Sequence, residues 1–171
     1  LTLRDPGSKS GRALTIGNFD GVHLGHQAIL EYLVAEAAKR NLIPSVLIFQ
    51  PHPAEFFSPI EAPVRLYGVR EKARSFLDVG IEQVCLLPFN VRYAQMLAED
   101  FVRNVLVKEL SVRWLLVGDD FRFGSGRSGD YQMLQNLGRE LGFEVEANQS
   151  VKIRDMRVSS TAVRGALSSG N

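Results

Sequence analysis

The feature that most constrains the fold of this chain is the alternation of short apolar runs with longer amphipathic stretches. Residues 13–17, 45–49, 83–87, 114–118 and 143–147 are apolar and rich in β-branched side chains, and each run is too short for a helix, so they read as strands. Between the first two, Ile29, Leu30, Leu33, Val34 and Ala37 recur at three- and four-residue steps, which predicts an amphipathic helix over 25–40. Lys39 and Arg40 complement its negative end, and Asn41 supplies a residue tolerant of left-handed geometry at the stop. Weaker helical patterns cover 69–79, 98–110 and 131–141. Strand and helix in alternation predict an α/β fold, a parallel sheet with helices on both faces, in one domain spanning 1–171.

Composition removes several classes. Twenty Lys and Arg are scattered among 19 Asp and Glu, leaving a formal charge of +1 and no basic stripe for nucleic acid. Apolar runs such as 114–117 fall far short of the roughly 18 to 20 residues of a membrane span. The single Cys85 sits in an apolar run and has no intrachain partner, which fits a reduced thiol in a cytoplasmic protein. The chain begins at Leu1 without a charged-then-apolar leader, so the expectation is a trimmed segment rather than a secreted protein.

In open α/β sheets the ligand crevice lies beyond the carboxyl ends of the strands, so the loops that follow each run matter most. After the first run comes Gly17-Asn18-Phe19-Asp20-Gly21-Val22-His23-Leu24-Gly25-His26, leading straight into the helix. Gly17, Gly21 and Gly25 let the backbone approach a ligand closely, and a helix start offers N–H groups to an anion. His23 and His26 are three apart, so both rings project on one side of the first turn over that anion. Donors placed on the equatorial oxygens of a phosphate are what nucleotidyl transfer requires. A purely structural His pair and a zinc site remain alternatives, although one Cys and His52 are the main further zinc ligands on offer.

The second run exits into Phe49-Gln50-Pro51-His52-Pro53-Ala54-Glu55-Phe56-Phe57, a turn stiffened by two prolines and flanked by aromatics, suited to a flat ring system. Phe57 is the aromatic expected to be exposed, and core packing is the alternative for Phe49 and Phe56. The fourth run ends in Gly118-Asp119-Asp120-Phe121-Arg122-Phe123-Gly124. Here Asp120 can accept from a ring imide N–H, Phe123 can pack on the ring, and Arg122 and Arg127 can meet phosphate. Residues 124–129 spell a dinucleotide-type glycine pattern but begin well past the strand end, so they read as a mobile basic flap or an inert surface loop. Gly7-Ser8-Lys9-Ser10 lacks the spacing of a P-loop. Finally, Ser159, Ser160 and Thr161 with Arg164 on the same turn can cap a helix or cradle the β- and γ-phosphates of a nucleotide.

Together, 16–26, Pro51-His52-Pro53, 118–124 and 158–164 resemble the FMN adenylyltransferase module of bacterial bifunctional riboflavin kinase/FAD synthetases, in the nucleotidylyltransferase superfamily, over essentially the whole chain. The resemblance implies a Rossmann-like sheet and transfer of the adenylyl group of ATP to FMN, giving FAD and pyrophosphate with Mg²⁺ bridging phosphates. It implies His23, His26 and Arg164 as catalytic residues, and Gly17, Asn18, Phe19, Gly25, Gly118, Ser159, Ser160 and Thr161 on ATP. It places Phe49, Pro51, His52, Pro53, Phe57, Asp120 and Phe123 on the flavin, and it names no protein ligand for the metal. The riboflavin kinase barrel that follows this module in the bifunctional family is expected to be absent, since the sequence stops at Asn171. Another small-molecule nucleotidylyltransferase, or a flavin-binding module inactive without its kinase partner domain, are the competing readings.

Overall fold

The computed structural model describes residues 10–19, 24–60 and 68–148, and the backbone at 152–153 and 156–157. Strands β1 (Arg12–Ile16), β2 (Ile43–Gln50), β3 (Gln83–Pro88), β4 (Val112–Gly118) and β5 (Glu144–Asn148) form one sheet in the order β3-β2-β1-β4-β5, every neighbouring pair parallel. Helices α1 (Leu24–Lys39), α3 (Val69–Val79) and α6 (Tyr131–Leu141) connect them, with the short α2 (Pro53–Phe57) and α4 (Val91–Gln95) at strand exits. Helix α5 (Ala98–Asp100) runs on as π-helix through Phe101–Glu109. A two-residue antiparallel pair, β6 (Lys152–Ile153) and β7 (Met156–Arg157), stands apart from the sheet.

All five expected strands and the four expected helices are present within about two residues of their predicted ends, as boundary scatter allows. The two short helices were not expected, because five-residue segments carry no measurable period. Asn41 takes φ 54° as its position required, and Leu42 N–H reaches back to the Ala37 carbonyl at 2.9 Å.

Alternation along the strands divides the interior in two. Ala13, Val46, Ile48, Trp114 and Leu116 face α1 and α3, where Leu30, Leu33, Ala37 and Phe76 are buried with them. Leu14, Leu47, Leu115 and Val117 face the opposite way, onto Phe101, Val102, Val105, Leu106, Leu134 and Leu137. Burial on both faces is why these strands read as continuous apolar runs rather than alternating ones. The chain steps outward from β1 to β2 to β3 and then crosses back to β4 on the other side of β1. This reversal leaves a crevice at the carboxyl ends of β1 and β4, bounded by Gly17 and Gly118.

Candidate functional site

At the exit of β1 the backbone turns through Gly17, Asn18 and Phe19. A Cβ on Gly17 would lie 2.9 Å from the Phe19 ring, so only glycine lets that ring fold back against the strand end. Phe19 adopts φ 48°, is 6% exposed, and meets His26 and Phe76 edge-on with centroids 5.2 and 5.6 Å away. The residue expected on ATP is thus a core side chain that braces the half-buried His26 ring in the first turn of α1. Gly25 is buried beside it. Lys72, on α3 and only 9% exposed, donates to the Asn18 carbonyl at 2.9 Å and to Asn18 Oδ1 at 3.4 Å.

Strand β2 leaves through a cis Gln50–Pro51 peptide into α2. His52 caps that helix: its Nδ1 accepts from Ala54 N–H at 3.1 Å, while its own N–H donates to Glu55 Oε2 at 3.1 Å. Accepting at Nδ1 puts the proton of neutral His52 on Nε2. The cap aims α2 so that Phe56 and Phe57 meet each other and Phe89, with centroids 5.2 to 5.8 Å apart and rings near perpendicular. Phe49 continues the contact to Phe89, Tyr93 and Phe101, and Phe101 to Phe123. One unbroken aromatic wall results, built from β2, α2, the β3–α4 loop, the π-helix and the β4 exit.

The β4 exit closes the other side. Asp119 and Asp120 are exposed, and the Asp120 carboxylate folds back over Gly118, 2.6 Å from where a Cβ there would stand. Phe121 and Phe123 stack at 5.6 Å and 16°. Phe123 and Gly129 exchange backbone hydrogen bonds of 3.1 and 2.8 Å, and Ser125 N–H donates to the Met96 carbonyl at 2.8 Å. Gly124, at φ 76°, lies so close to Ala98 that a Cβ would come within 2.6 Å of its backbone. The stretch 124–129, expected as a basic flap or an inert surface loop, is a short turn with backbone hydrogen bonds at both ends, presenting Arg127 at φ 55°, with Arg122 3.8 Å from Asp130.

These walls enclose a cleft of about 450 Å³. Its lining is mostly apolar, and among the described residues Arg122 and Arg127 are its charged side chains. Of the residues expected at the site, Gly17, Asn18, Phe49, His52, Pro53, Phe57 and Phe123 line it. Phe57 is 65% exposed, as expected, whereas Phe123 is 7% exposed. Pro51, Asp120, Gly118, Gly25, Phe19 and His26 stand outside the lining, Pro51 being exposed to solvent. His23, Ser159, Ser160, Thr161 and Arg164 lie outside the described residues. The sequence reading missed Phe89, Tyr93, Met96, Phe101 and Lys72. Phe89 had a usable signal, since it directly follows a predicted strand. Lys72 had none, being one basic residue of an ordinary helix.

Among the described residues, no three His, Cys, Asp or Glu side chains gather as a metal site. The carboxylates at the β4 exit, those of the exposed Asp119 and Asp120, are of the kind of which a hydrated divalent cation takes one or two. Burial pushes the Cys85 thiol upward, so it behaves as a packed side chain and not a nucleophile. No helix among the described residues is long and apolar enough to cross a membrane.

Sheet order, switch-point crevice and cleft define the class: a Rossmann-like α/β protein with its cleft beyond the carboxyl ends of its strands. The model of the FAD synthetase family matches residues 5–162, and the chain belongs to that family. It is 47% identical over 163 residues to the bifunctional riboflavin kinase/FMN adenylyltransferase of Escherichia coli K12, covering 95% of this chain and 52% of that protein. The proteins of the same description from Haemophilus influenzae and Pseudomonas fluorescens are 45% and 47% identical over 157 and 161 residues, covering 92% and 94% of this chain and 51% of each relative. The chain thus spans about half the length of the curated relatives it matches. Among solved structures, one titled a macrolide-efflux protein from Streptococcus pneumoniae superimposes with a TM-score of 0.77 at 26% identity, over 96% of this chain and 55% of that one.

Proposed function

We propose that this chain transfers the adenylyl group of ATP to the phosphate of FMN, releasing pyrophosphate and forming FAD. The observation that carries the reading is the cleft itself: an aromatic, proline-edged slot whose charged lining side chains, among the described residues, are two arginines. An isoalloxazine is flat, apolar on its faces and joined through a ribityl chain to one phosphate, which matches such a slot by burial, stacking and a guanidinium-phosphate contact. Phe49, Pro53, Phe57 and Phe123 take the ring in this reading, with Phe89 and Tyr93 behind them. His52 offers Nε2–H, and Pro51 and Asp120 act from the edge of the slot.

The chemistry needs little from the protein beyond placement. An oxygen of the FMN phosphate, ionised near neutral pH, attacks the α-phosphorus of ATP as the bond to the β-phosphate oxygen breaks. His26, held by Phe19, and His23 donate to the α-phosphoryl oxygens as charge grows there, each donor being worth about 2.7 to 4 kcal/mol in such sites. Gly17, Gly25 and Gly118 let the triphosphate approach the strand ends, and Asn18 donates to it. Ser159, Ser160, Thr161 and Arg164 hold the departing pyrophosphate. Mg²⁺, when bound, supplies charge neutralisation along the polyphosphate. A cytoplasmic location and a riboflavin kinase domain as the covalent neighbour of this module belong to the same proposal, on the strength of the bifunctional relatives.

The test is to incubate the chain with FMN, ATP and Mg²⁺ and separate the flavins by chromatography, with riboflavin replacing FMN in parallel. FAD from FMN and none from riboflavin is the expected result. FMN bound without turnover would leave a flavin carrier, and no flavin binding would reassign the site to another nucleotidylyltransferase substrate.

A further inference from the structure

Lys72 is nearly buried, 9% exposed, and carries a charge that needs partners. With Ile48, Gln50, Phe76 and Val84 it lines a small space of about 10 Å³. Burying an ammonium without acceptors is costly. The loop after β1 supplies two, the Asn18 carbonyl at 2.9 Å and Asn18 Oδ1 at 3.4 Å.

Those bonds decide two things about the loop. An ammonium only donates, so the side-chain atom of Asn18 that faces it has to be the oxygen, and the amide NH₂ is turned the other way. Asn18 lines the cleft together with Ile16 and Gly17. The carbonyl that Lys72 grips belongs to the peptide joining Asn18 to Phe19, the residue forced to φ 48° so that its ring can reach His26. One buried cation therefore fixes both the direction of an amide and the turn that braces a histidine.

We propose that Lys72 is a positioning residue of the phosphate end of the site: through Asn18 it presents an N–H donor pair to a substrate phosphoryl group and holds the Phe19–His26 contact. The role rests on the adenylyl-transfer reading above. It touches no substrate and acts through the loop.

Substitutions at Lys72 and Asn18 test it, with FMN, riboflavin and ATP as probes. Lys72→Met keeps the stem and removes the donors. FAD formation by it falls roughly tenfold or more, riboflavin binding followed by flavin fluorescence stays within about twofold, and Lys72→Arg restores most of the activity. In an Asn18→Ala background, Lys72→Met costs about threefold or less, because the group it orients is gone. Should Lys72→Met fold poorly, Asn18→Asp serves instead: it retains the acceptor for Lys72, so its thermal midpoint holds while adenylyl transfer drops at least tenfold. Equal losses from Lys72→Met in both backgrounds, or parallel loss of riboflavin and FMN affinity, overturn the proposal as ordinary destabilisation would. Failure of the native chain to form FAD overturns the functional reading and this role with it, whereas normal turnover unaffected by Lys72→Met overturns this role alone.

Discussion

The two sides of the cleft are built on different principles. One side, which the proposed function gives to phosphate, is a local stretch of chain: Gly17 and Asn18 line the cleft at the β1 exit, and Phe19 packs on His26 within ten residues of them in sequence. The aromatic side is assembled from Phe49, Phe57, Phe89, Tyr93, Phe101 and Phe123, spread over six separate segments and 75 positions. The first is a short stretch that turns on Gly17 and is held from α3 by Lys72. The second is a packing result, part core and part binding surface, in which the same ring can serve both. Phe101, 4% exposed yet lining the cleft, is the clearest instance.

That contrast can be broken at four places. The largest effect is expected from Phe101→Ala, which should lower stability by about 3 to 5 kcal/mol in urea unfolding and weaken flavin binding with it, since it removes core and wall together. Destabilisation below about 1 kcal/mol would show that the wall is independent of the core. Next is His26→Ala, expected to slow adenylyl transfer by roughly 10²-fold or more while FMN affinity stays nearly constant, as read by steady-state kinetics beside a fluorescence titration. If FMN binding collapses as well, the two sides are not separable.

Phe57→Ala inverts that pattern. At 65% exposure it should cost no more than about 0.5 kcal/mol of stability, yet weaken FMN about five- to tenfold by removing one aromatic face. Unchanged affinity would restrict the ring site to Phe49 and Phe123. The smallest effect lies away from the cleft, where Tyr32 on α1 donates to Glu146 on β5 and its hydroxyl pKa is pushed up to about 12, by that hydrogen bond first and by burial second. A raised acid favours its protonated form in the fold, so the contribution is fully present below the ordinary value near 10 and lost as pH climbs through 12. Tyr32 is 42% exposed, so Tyr32→Phe should lower the thermal midpoint by less than about 3 °C at pH 8, and the gap should close in strongly alkaline buffer. A gap constant with pH would assign the effect to packing.

Much of this was legible in advance, and the reason differs from element to element. Strands β1, β2 and β4 announced themselves because burial on both faces demands near-continuous apolar runs, and α1 because its inward stripe repeats at helical steps. The stop at Asn41 was readable because few residues accept positive φ. Phe19 was not: its motif suggested a ligand contact, and only the close approach over Gly17 turns the ring inward against His26. Asp120 likewise belongs to a flavin-type motif, yet its carboxylate lies back over Gly118. The turn at 124–129 looked like a loose flap because glycine content says nothing of the backbone bonds to Met96 and across Phe123–Gly129.

The sequence by itself determined the parallel α/β architecture, the loops that face the crevice, and the family, since these depend on periodicity and on contiguous motifs. Tertiary structure alone decided which aromatics are wall and which are core, and that a lysine from α3 grips the loop after β1. Such choices depend on contacts between residues 54 positions apart, as for Lys72 and Asn18, and no local propensity encodes a distance of that kind.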